Sequence, residues 1–246
     1  MIHRDFHIHT VHSDGKHTPE ELILYALDRG MTHIGFSDHS HTAFDTEYCM
    51  SLEGEADYKR EIAALKEKYR QRIAVYCGIE QDYYSLRRAE GYDYIIGSVH
   101  YVKAGEAYLP VDKSAADLRA AVDAYFGGDP IAFAVEYFRT VSDVVQKTNA
   151  DIIGHFDLVT KFNEKDPFID EGDPRYVAAW KAAVDSLIPS GKLFEINTGV
   201  IARGYKSSPY PAAPIIEYIK EKGGSFILSS DSHRKTVGCG FENVVI

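Results

Sequence analysis

The chain has 246 residues, of which 45% are hydrophobic and 26% charged, and its formal net charge at pH 7 is −10. This is the composition of an ordinary globular protein, and the length permits one domain of barrel size or two small ones. The negative charge argues against nucleic acid as the main partner, because proteins that bind its phosphate backbone usually carry a basic face. An anionic substrate would need a strong local positive charge, which bound metal ions can supply.

No apolar run approaches the roughly 20 residues of a membrane span, and no signal peptide is recognisable. A cytoplasmic location without membrane partners is therefore expected. The three cysteines, Cys49, Cys77 and Cys239, are too few and too scattered for a disulfide framework. No linker or repeat divides the chain, so we expect a single domain over residues 1–246. The oligomeric state is left open.

The first predicted strand runs from Ile2 to His9 and contains two histidines, His7 and His9. Residues at i and i+2 of a strand point to the same face, so both imidazoles could reach one metal ion. One such pair alone is more often an ordinary polar strand face. A second pair, Asp231 and His233, follows the last predicted strand, and this repetition favours a metal site.

Further along the chain, the sequence predicts alternating helices and strands. Thr18 and Pro19 begin the first helix as N-cap and first helical residue, and Gly30 ends it. Later strands are predicted over residues 33–39, 73–83, 92–101, 152–155, 193–198 and 225–230, and later helices over about 53–72, 115–126, 130–148, 175–188 and 213–222. Seven strands that alternate with helices predict a parallel sheet.

Candidate metal ligands follow the C-terminal end of nearly every predicted strand. They are His7, His9, Asp14, His39, Glu80, His100, His155, Asp231 and His233. A closed α/β barrel brings side chains from all its strands to this face, whereas an open doubly wound sheet, the alternative, would concentrate them at one switch point. We therefore predict a TIM-like barrel. Such barrels usually end with a covering helix, and none is predicted here, so the last strand should be protected in another way.

The motifs around these residues, in this order, resemble those of the polymerase and histidinol phosphatase (PHP) family. They are HxH with a following SDG, then SDH, GIE, SVH, GHFD and SDSH. The resemblance spans essentially the whole chain. It implies a distorted (β/α)7 barrel with a trinuclear centre of divalent ions at the C-terminal ends of the strands; nitrogen and oxygen ligands of this kind accept zinc, iron or manganese.

The resemblance also implies how the ligands divide among the ions. The groups are His7, His9, Glu80 and Asp231 for the first ion, Glu80, His100 and His155 for the second, and Asp14, His39 and His233 for the third. Glu80 would bridge the first two ions. Some family members carry histidine instead of aspartate after the first strand, which makes His12 a weaker alternative to Asp14.

Six imidazoles and three carboxylates around three divalent ions leave a charge of about +3, which a bridging hydroxide lowers to about +2. A phosphomonoester dianion would neutralise such a site. Clustered metals can activate the bridging hydroxide as a nucleophile and stabilise the oxygens of an in-line phosphoryl transfer. The leaving alkoxide needs a proton, and Asp231 or His233 could deliver it through metal-bound water.

Two stretches, residues 154–161 and 194–199, resemble the histidinol-phosphate phosphatase branch of the family. The resemblance implies hydrolysis of L-histidinol phosphate to L-histidinol and phosphate, a step of histidine biosynthesis. One alternative is a phosphoesterase acting on another small phosphomonoester, a nucleotide or a phosphodiester. A remoter one is a non-catalytic metal-binding module, like the PHP domains of some replicative polymerases.

Related enzymes often place arginines near the positions of Lys161 and Gly199 to hold the phosphate. This chain has lysine at the first position, and at the second it has glycine with Arg203 four residues further on. Lysine supplies charge but no bidentate fork. We predict His41, Lys161 and Arg203 as substrate contacts. Tyr83 is a further candidate to test.

Three more carboxylates lie close to these motifs. Asp38 should point away from His39 and have a structural or ligand-orienting role, because neighbouring strand residues face opposite sides. Asp82 shares a strand face with Glu80, and Glu195 lies in the sixth predicted strand. Each could either orient a ligand or fill the barrel mouth with satisfied hydrogen bonds.

Overall fold

A computed structural model describes residues 3–244, so the predicted start of the first strand at Ile2 lies outside the described residues. The strands are β1 (Arg4–Asp5), β2 (His33–Phe36), β3 (Ala74–Asp82), β4 (Tyr94–Ser98), β5 (Tyr101–Ala104), β6 (Ala107–Pro110), β7 (Ile152–Ile153), β8 (Leu193–Asn197) and β9 (Ser225–Ser229). Seven of them form one sheet in the order β1-β2-β3-β4-β7-β8-β9. All its neighbouring strands are parallel.

Helices connect the parallel strands except β3 and β4, which an irregular loop over residues 83–93 joins. They are α1 (Pro19–Asp28), α2 (Leu52–Tyr69), α3 (Ala115–Phe126), α4 (Pro130–Val141), α5 (Val144–Thr148), α6 (Pro174–Leu187), α7 (Gly199–Ala202) and α8 (Ala213–Glu221). Thr18 begins α1 with a capping box in which its side chain accepts from the backbone of Glu21, as its sequence predicts. Between residues 3 and 244, no helix has both the length and the apolar character that a membrane crossing requires.

The sheet closes on itself through the two ends of the chain. The His9 amide donates to the Ser232 carbonyl at 2.8 Å, and the Ser232 amide donates to the His7 carbonyl at 3.0 Å. Beside these bonds, the buried carboxylate of Asp5 accepts from both the amide and the hydroxyl of Ser230, at 3.1 and 2.5 Å. The predicted distorted barrel is therefore confirmed, and the open doubly wound sheet is wrong.

Apolar side chains fill the lower part of the barrel. The cluster consists of Phe6, Tyr76, Tyr94, Ile96, Ile152, Leu193 and Ile227. Because strand side chains alternate, Tyr76 in β3 shares its face with Glu80, one layer nearer the C-terminal end. The polar residues at the barrel mouth thus lie above a packed apolar layer that joins their strands.

Gly78 is required by this packing, since a Cβ atom there would lie 2.2 Å from the ring of Tyr94. We expect Gly78→Ala to lower the free energy of unfolding by about 2–3 kcal/mol, because the buried ring cannot move without displacing its neighbours. Denaturant unfolding measures this. Gly172→Ala, whose Cβ would meet only a side-chain oxygen of Asp170 at 3.3 Å, should change stability by less than about 0.5 kcal/mol. Equal effects of the two substitutions would contradict the argument.

Four predicted elements differ clearly from the structure, and the first is the strand predicted to run to His9, which ends at Asp5. The predicted strand over residues 92–101 ends at Ser98, and the chain continues into an antiparallel hairpin of β5 and β6, which the sequence analysis missed. Gly105, with a φ of +59°, forms its turn. The predicted helix over residues 130–148 is interrupted between α4 and α5, and β2 ends at Phe36, before the predicted end at His39.

A short 3-10 helix, Phe241–Asn243, lies against the last strands. The Phe241 side chain is buried in one apolar cluster with Ile196 of β8 and Leu228 of β9, and partly buried side chains of α8 and β9 pack on this cluster. This packing protects the side of β9 that a further helix would cover in a regular barrel.

Candidate metal centre

The nine predicted ligands come together at the C-terminal face of the barrel. Glu80 lies within β3, and the others follow the strands: His7, His9 and Asp14 after β1, His39 after β2, His100 after β4, His155 after β7, and Asp231 and His233 after β9. Parallel strands all end at the same edge of a barrel, so side chains that are far apart in the sequence become neighbours there.

Glu80 is the centre of the cluster and is only 1% exposed. Its Oε2 lies 3.3 Å from Nε2 of His7, 3.5 Å from Nε2 of His9 and 2.9 Å from Nδ1 of His39. Its Oε1 lies 2.9 Å from Nε2 of His155 and 3.4 Å from Nε2 of His100. Five imidazoles therefore surround the two oxygens of one carboxylate.

A second group surrounds Asp14 at the outer side of the cluster. The Asp14 oxygens lie 3.2 Å from Nε2 of His233, 3.7 Å from Nε2 of His39 and 3.9 Å from Nδ1 of His9. The rings of His39 and His233 stack on that of His9, with centroids 4.3 and 4.1 Å away. Asp14 thus lies where three imidazoles meet.

Asp231 joins the cluster to the cavity wall. Its Oδ1 lies 3.3 Å from Nε2 of His9 and 3.7 Å from Nε2 of His7, while its Oδ2 accepts from Arg203 at 2.8 Å. The backbone of Asp231 has a φ of +47°, a strained value for a residue other than glycine, of the kind that clusters at functional sites.

Several buried atoms of the cluster have no hydrogen-bond partner among the described residues. They are Nε2 of His7, both ring nitrogens of His9, Oδ1 of Asp14, Nδ1 of His39, Oε2 of Glu80 and Nδ1 of His155. Some of these atoms are close to one another without hydrogen-bond geometry. An unpaired buried polar atom costs free energy, and coordination of metal ions would satisfy such atoms.

The ligand atoms also fit metal ions in their spacing. Three groups have atoms that all lie within 4.8 Å of one another: His9, Asp14, His39 and His233; His7, His9 and Glu80; and His39, Glu80 and His100. Imidazole nitrogens and carboxylate oxygens are the donor set of zinc, iron and manganese sites. The residues present therefore fit divalent cations. His39 belongs both to the group that contains Asp14 and to the group that contains Glu80 and His100.

Electrostatics keeps Glu80 and His9 in ligand-competent forms, whereas neighbouring carboxylates outweigh burial and raise the pKa of His7, His39 and His100. Burial alone would raise the pKa of Glu80, but the imidazoles of His39, His7 and His100 outweigh it and hold that pKa well below its usual range. Burial, together with the neighbouring imidazoles of His233 and His39, lowers the pKa of His9 to about 3. Glu80 is thus a carboxylate and His9 a neutral imidazole at neutral pH.

Glu195 is fully buried and positions His7. Its Oε1 lies 2.5 Å from Nδ1 of His7 and accepts from the hydroxyl of Ser229 at 2.5 Å. Its Oε2 accepts from the backbone amide of His155 at 2.7 Å and from the amide group of Asn197 at 3.0 Å. Because Nδ1 of His7 is bonded to Glu195, the opposite nitrogen, Nε2, is directed toward the cluster.

Asp82 and Asp38 have comparable supporting positions. Asp82 lies 3.0 Å from Nδ1 of His100 and so orients that ring. Asp38 accepts from the amide and hydroxyl of Thr10 and from the hydroxyl of Ser13, which holds the loop that carries Asp14.

Other predicted site residues lie elsewhere. His12, the alternative to Asp14, has its Nε2 2.7 Å from a Glu61 oxygen. The prediction that His41 faces the substrate is not supported, because its ring is directed to the Met50 carbonyl, 3.1 Å away, and does not line the cavity. Likewise Tyr83 donates to Asp143 at 3.1 Å and lines a different pocket.

A cavity of about 760 Å³ lies above the cluster, and both Lys161 and Arg203 line it. The Lys161 ammonium donates to Asp112, at 2.9 Å to its carbonyl and 3.1 Å to its carboxylate. Sequence reasoning missed Asp112, Asp45, Tyr48 and Tyr101 on the cavity wall. The available signal was their position in loops that follow barrel strands, where binding residues concentrate.

Gly199 explains why this chain departs from the usual arginine position. A Cβ at Gly199 would lie 2.6 Å from the Ser230 carbonyl and 3.1 Å from Nη2 of Arg203. A larger side chain has no room there, and the guanidinium of Arg203, which follows α7, occupies the adjacent space against Asp231. Arg203 therefore supplies the positive charge on this side of the cavity.

Comparisons with known proteins identify the family of this barrel. The PHP domain model matches residues 5–199, and the chain belongs to the PHP domain family. It is 30% identical to a protein of Deinococcus radiodurans named probable histidinol-phosphatase, covering 98% of this chain and 90% of that protein. It is 24% identical to the histidinol-phosphatase of Bacillus subtilis, covering 98% of both.

Solved structures show the same fold. A Listeria monocytogenes protein assigned as the histidinol phosphatase HisK has a TM-score of 0.82 and 20% identity, covering 98% of this chain and 100% of that one. Histidinol phosphate phosphatase of Lactococcus lactis, solved with zinc, L-histidinol and phosphate, has a TM-score of 0.70 and 21% identity, covering 94% of this chain and 86% of that one.

Proposed function

We propose that this protein is a metal-dependent phosphomonoesterase that hydrolyses L-histidinol phosphate to L-histidinol and phosphate, in histidine biosynthesis. The observation that carries the proposal is the arrangement of five imidazoles around Glu80, directly below an open cavity. Family membership and the names of the relatives support it, as does the zinc, L-histidinol and phosphate in the Lactococcus lactis enzyme. A cytoplasmic location stays a prediction.

We propose three divalent cations in the cluster, with zinc, iron and manganese as candidates. His7, His9, Glu80 and Asp231 would hold the first, Glu80, His100 and His155 the second, and Asp14, His39 and His233 the third. The approach of His100 and His155 to one Glu80 oxygen, and of His7 and His9 to the other, supports the bridging role of Glu80. Such ions supply Lewis acidity toward the phosphate and lower the pKa of coordinated water.

The residues of the chain perform the remaining tasks. Lys161 and Arg203 line the cavity and place positive charge where a phosphate would lie. Hydrolysis adds water to phosphorus, breaks the ester P–O bond and leaves a proton on the alcohol oxygen. Asp231 and His233, whose side chains lie 3.5 Å apart at the cavity wall, are the proposed catalytic residues for moving that proton.

Steady-state phosphate release tests this function. We expect the metal-loaded protein to hydrolyse L-histidinol phosphate with a kcat/KM about 100-fold or more above that for simple alkyl phosphates, nucleotides and a phosphodiester, because a site that pairs the polar groups of its substrate discriminates against esters that lack them. Preference for a diester or nucleotide would replace the proposal with that activity. Bound metal without turnover of any ester would favour a non-catalytic module.

A further inference from the structure

The loop that follows β2 forms one wall of the cavity and carries Asp45, Glu47 and Tyr48 to it. Phe44 fixes this loop on the β5–β6 hairpin. Its ring stacks on Tyr108 with centroids 3.8 Å apart and an interplanar angle of 3°, and it meets the edge of Tyr101 at 4.9 Å. The hairpin thus holds the wall in place.

The charged and aromatic groups of this wall are close to the metal cluster. The Tyr101 hydroxyl donates to Oδ2 of Asp45 at 2.8 Å, and within residues 3–244 neither Asp45 nor Glu47 forms an ion pair. The ring of Tyr48 lies 4.8 Å from that of His39 and 6.2 Å from that of His100. The wall therefore presents two uncompensated carboxylates and aromatic rings.

The other carboxylates of the cavity are already engaged. Asp112 is paired with Lys161 and Asp231 with Arg203, while Asp14 and Glu80 face imidazoles. Three cations elsewhere on the cavity wall form no ion pair among residues 3–244: Arg234 is next in sequence to His233, Lys16 donates its backbone amide to the His233 carbonyl at 2.9 Å, and Lys113 is next to Asp112. Two of these cations, Lys16 and Arg234, are neighbours of His233, so the wall near His233 carries positive charge and the loop after β2 carries negative charge.

We propose that Asp45 and Glu47, with the rings of Tyr48 and Tyr101, form the subsite for the alcohol part of the substrate and select phosphomonoesters whose alcohol carries a protonated amine. The inference rests on the proposed function, because it takes the phosphate to lie over the metal cluster. Carboxylates form charge-assisted hydrogen bonds with an ammonium group, and aromatic faces attract cations. A neutral alcohol would gain neither interaction.

The test uses Asp45→Asn, Glu47→Gln and the double variant, with Glu106→Gln at the exposed hairpin turn as a control whose charge change equals that of either single variant. Substrates are L-histidinol phosphate, O-phosphoethanolamine and ethyl phosphate, the last two differing by the amine. We expect the double variant to lose at least 10-fold in kcat/KM for both amine esters, mainly through KM, and to change less than 2-fold for ethyl phosphate. Glu106→Gln should behave as wild type.

Calorimetric binding of L-histidinol to the metal-loaded protein gives a readout without turnover, and the double variant should weaken it at least 10-fold. Equal losses for all three esters, or unchanged KM and L-histidinol binding, would overturn the subsite.

The proposed function can fail separately. If wild type but not the double variant prefers both amine esters over ethyl phosphate, while L-histidinol phosphate is no better than O-phosphoethanolamine, the subsite stands and the assigned substrate is wrong.

Discussion

Replacing Glu80 with glutamine is expected to lower kcat/KM by about 1000-fold and to deplete the protein of bound metal. The Glu80 carboxylate is 1% exposed, and its oxygens lie within 3.5 Å of five imidazoles. An amide has the same shape but lacks the negative charge, and it offers one oxygen where the proposed bridge between two cations would use two. Phosphate release and elemental analysis of the purified variant measure the two effects.

One control and one replacement variant make this result specific. Glu90→Gln, at an exposed position, should keep wild-type activity and metal content. If Glu80→Gln fails to fold by circular dichroism, Asp231→Asn is the replacement, since Asp231 lies at the cavity wall with its Oδ1 near His9. A folded Glu80→Gln protein with full metal content and more than a tenth of wild-type activity would refute the bridging role.

Replacing Glu195 with glutamine should weaken metal binding or activity by about 10- to 100-fold, although Glu195 is not a proposed ligand. All four groups that approach this carboxylate, His7, Ser229, the His155 amide and Asn197, are placed to donate to it. A glutamine would turn its NH2 group toward one of these donors, so that His7 would lose its orientation or a buried donor would lose its partner.

Chelator competition with the folded Glu195→Gln variant separates this positioning role from simple loss of stability. Glu61→Gln is the matched control, because Glu61 also contacts a histidine, His12, but outside the metal cluster. It should retain wild-type metal affinity. Equal affinities of wild type and Glu195→Gln would show that the contact with His7 has no effect on the centre.

The ligand cluster could be predicted from the sequence because it depends on short-range periodicity. His7 and His9 share a face, and Glu80 lies within a strand that is regular to Asp82. His7 and His9 lie beyond the end of β1 at Asp5, but the parallel bridge between Ile8 and Ser232 continues the extended pairing there. The same argument failed for His41, because the segment after β2 forms its last bridge at His39 and the alternation of faces does not continue beyond it. The alternation of strand residues therefore could not predict which side chains of irregular loops contact the substrate.

The supporting contacts could not be predicted because they join distant parts of the chain. Glu195 and His7 are 188 residues apart in the sequence, and their contact exists only once the barrel is closed. The guanidinium of Arg203 reaches Asp231 because the short helix α7 begins at Gly199, where a side chain would clash with the Ser230 carbonyl. The β5–β6 hairpin left only Gly105 as a turn signal.

The closure of the barrel by the two ends of the chain has a consequence for folding. Asp5 and Ser230 are 225 residues apart, and the neighbouring bonds between His7, His9 and Ser232 are equally non-local. Contacts of such high sequence separation carry a large loop-closure entropy and form late. Since Asp231 lies between the residues that make these bonds, a growing polypeptide cannot complete the proposed centre until β9 has docked. Binding of the ion assigned to His7, His9, Glu80 and Asp231 would then mark the closure of the barrel.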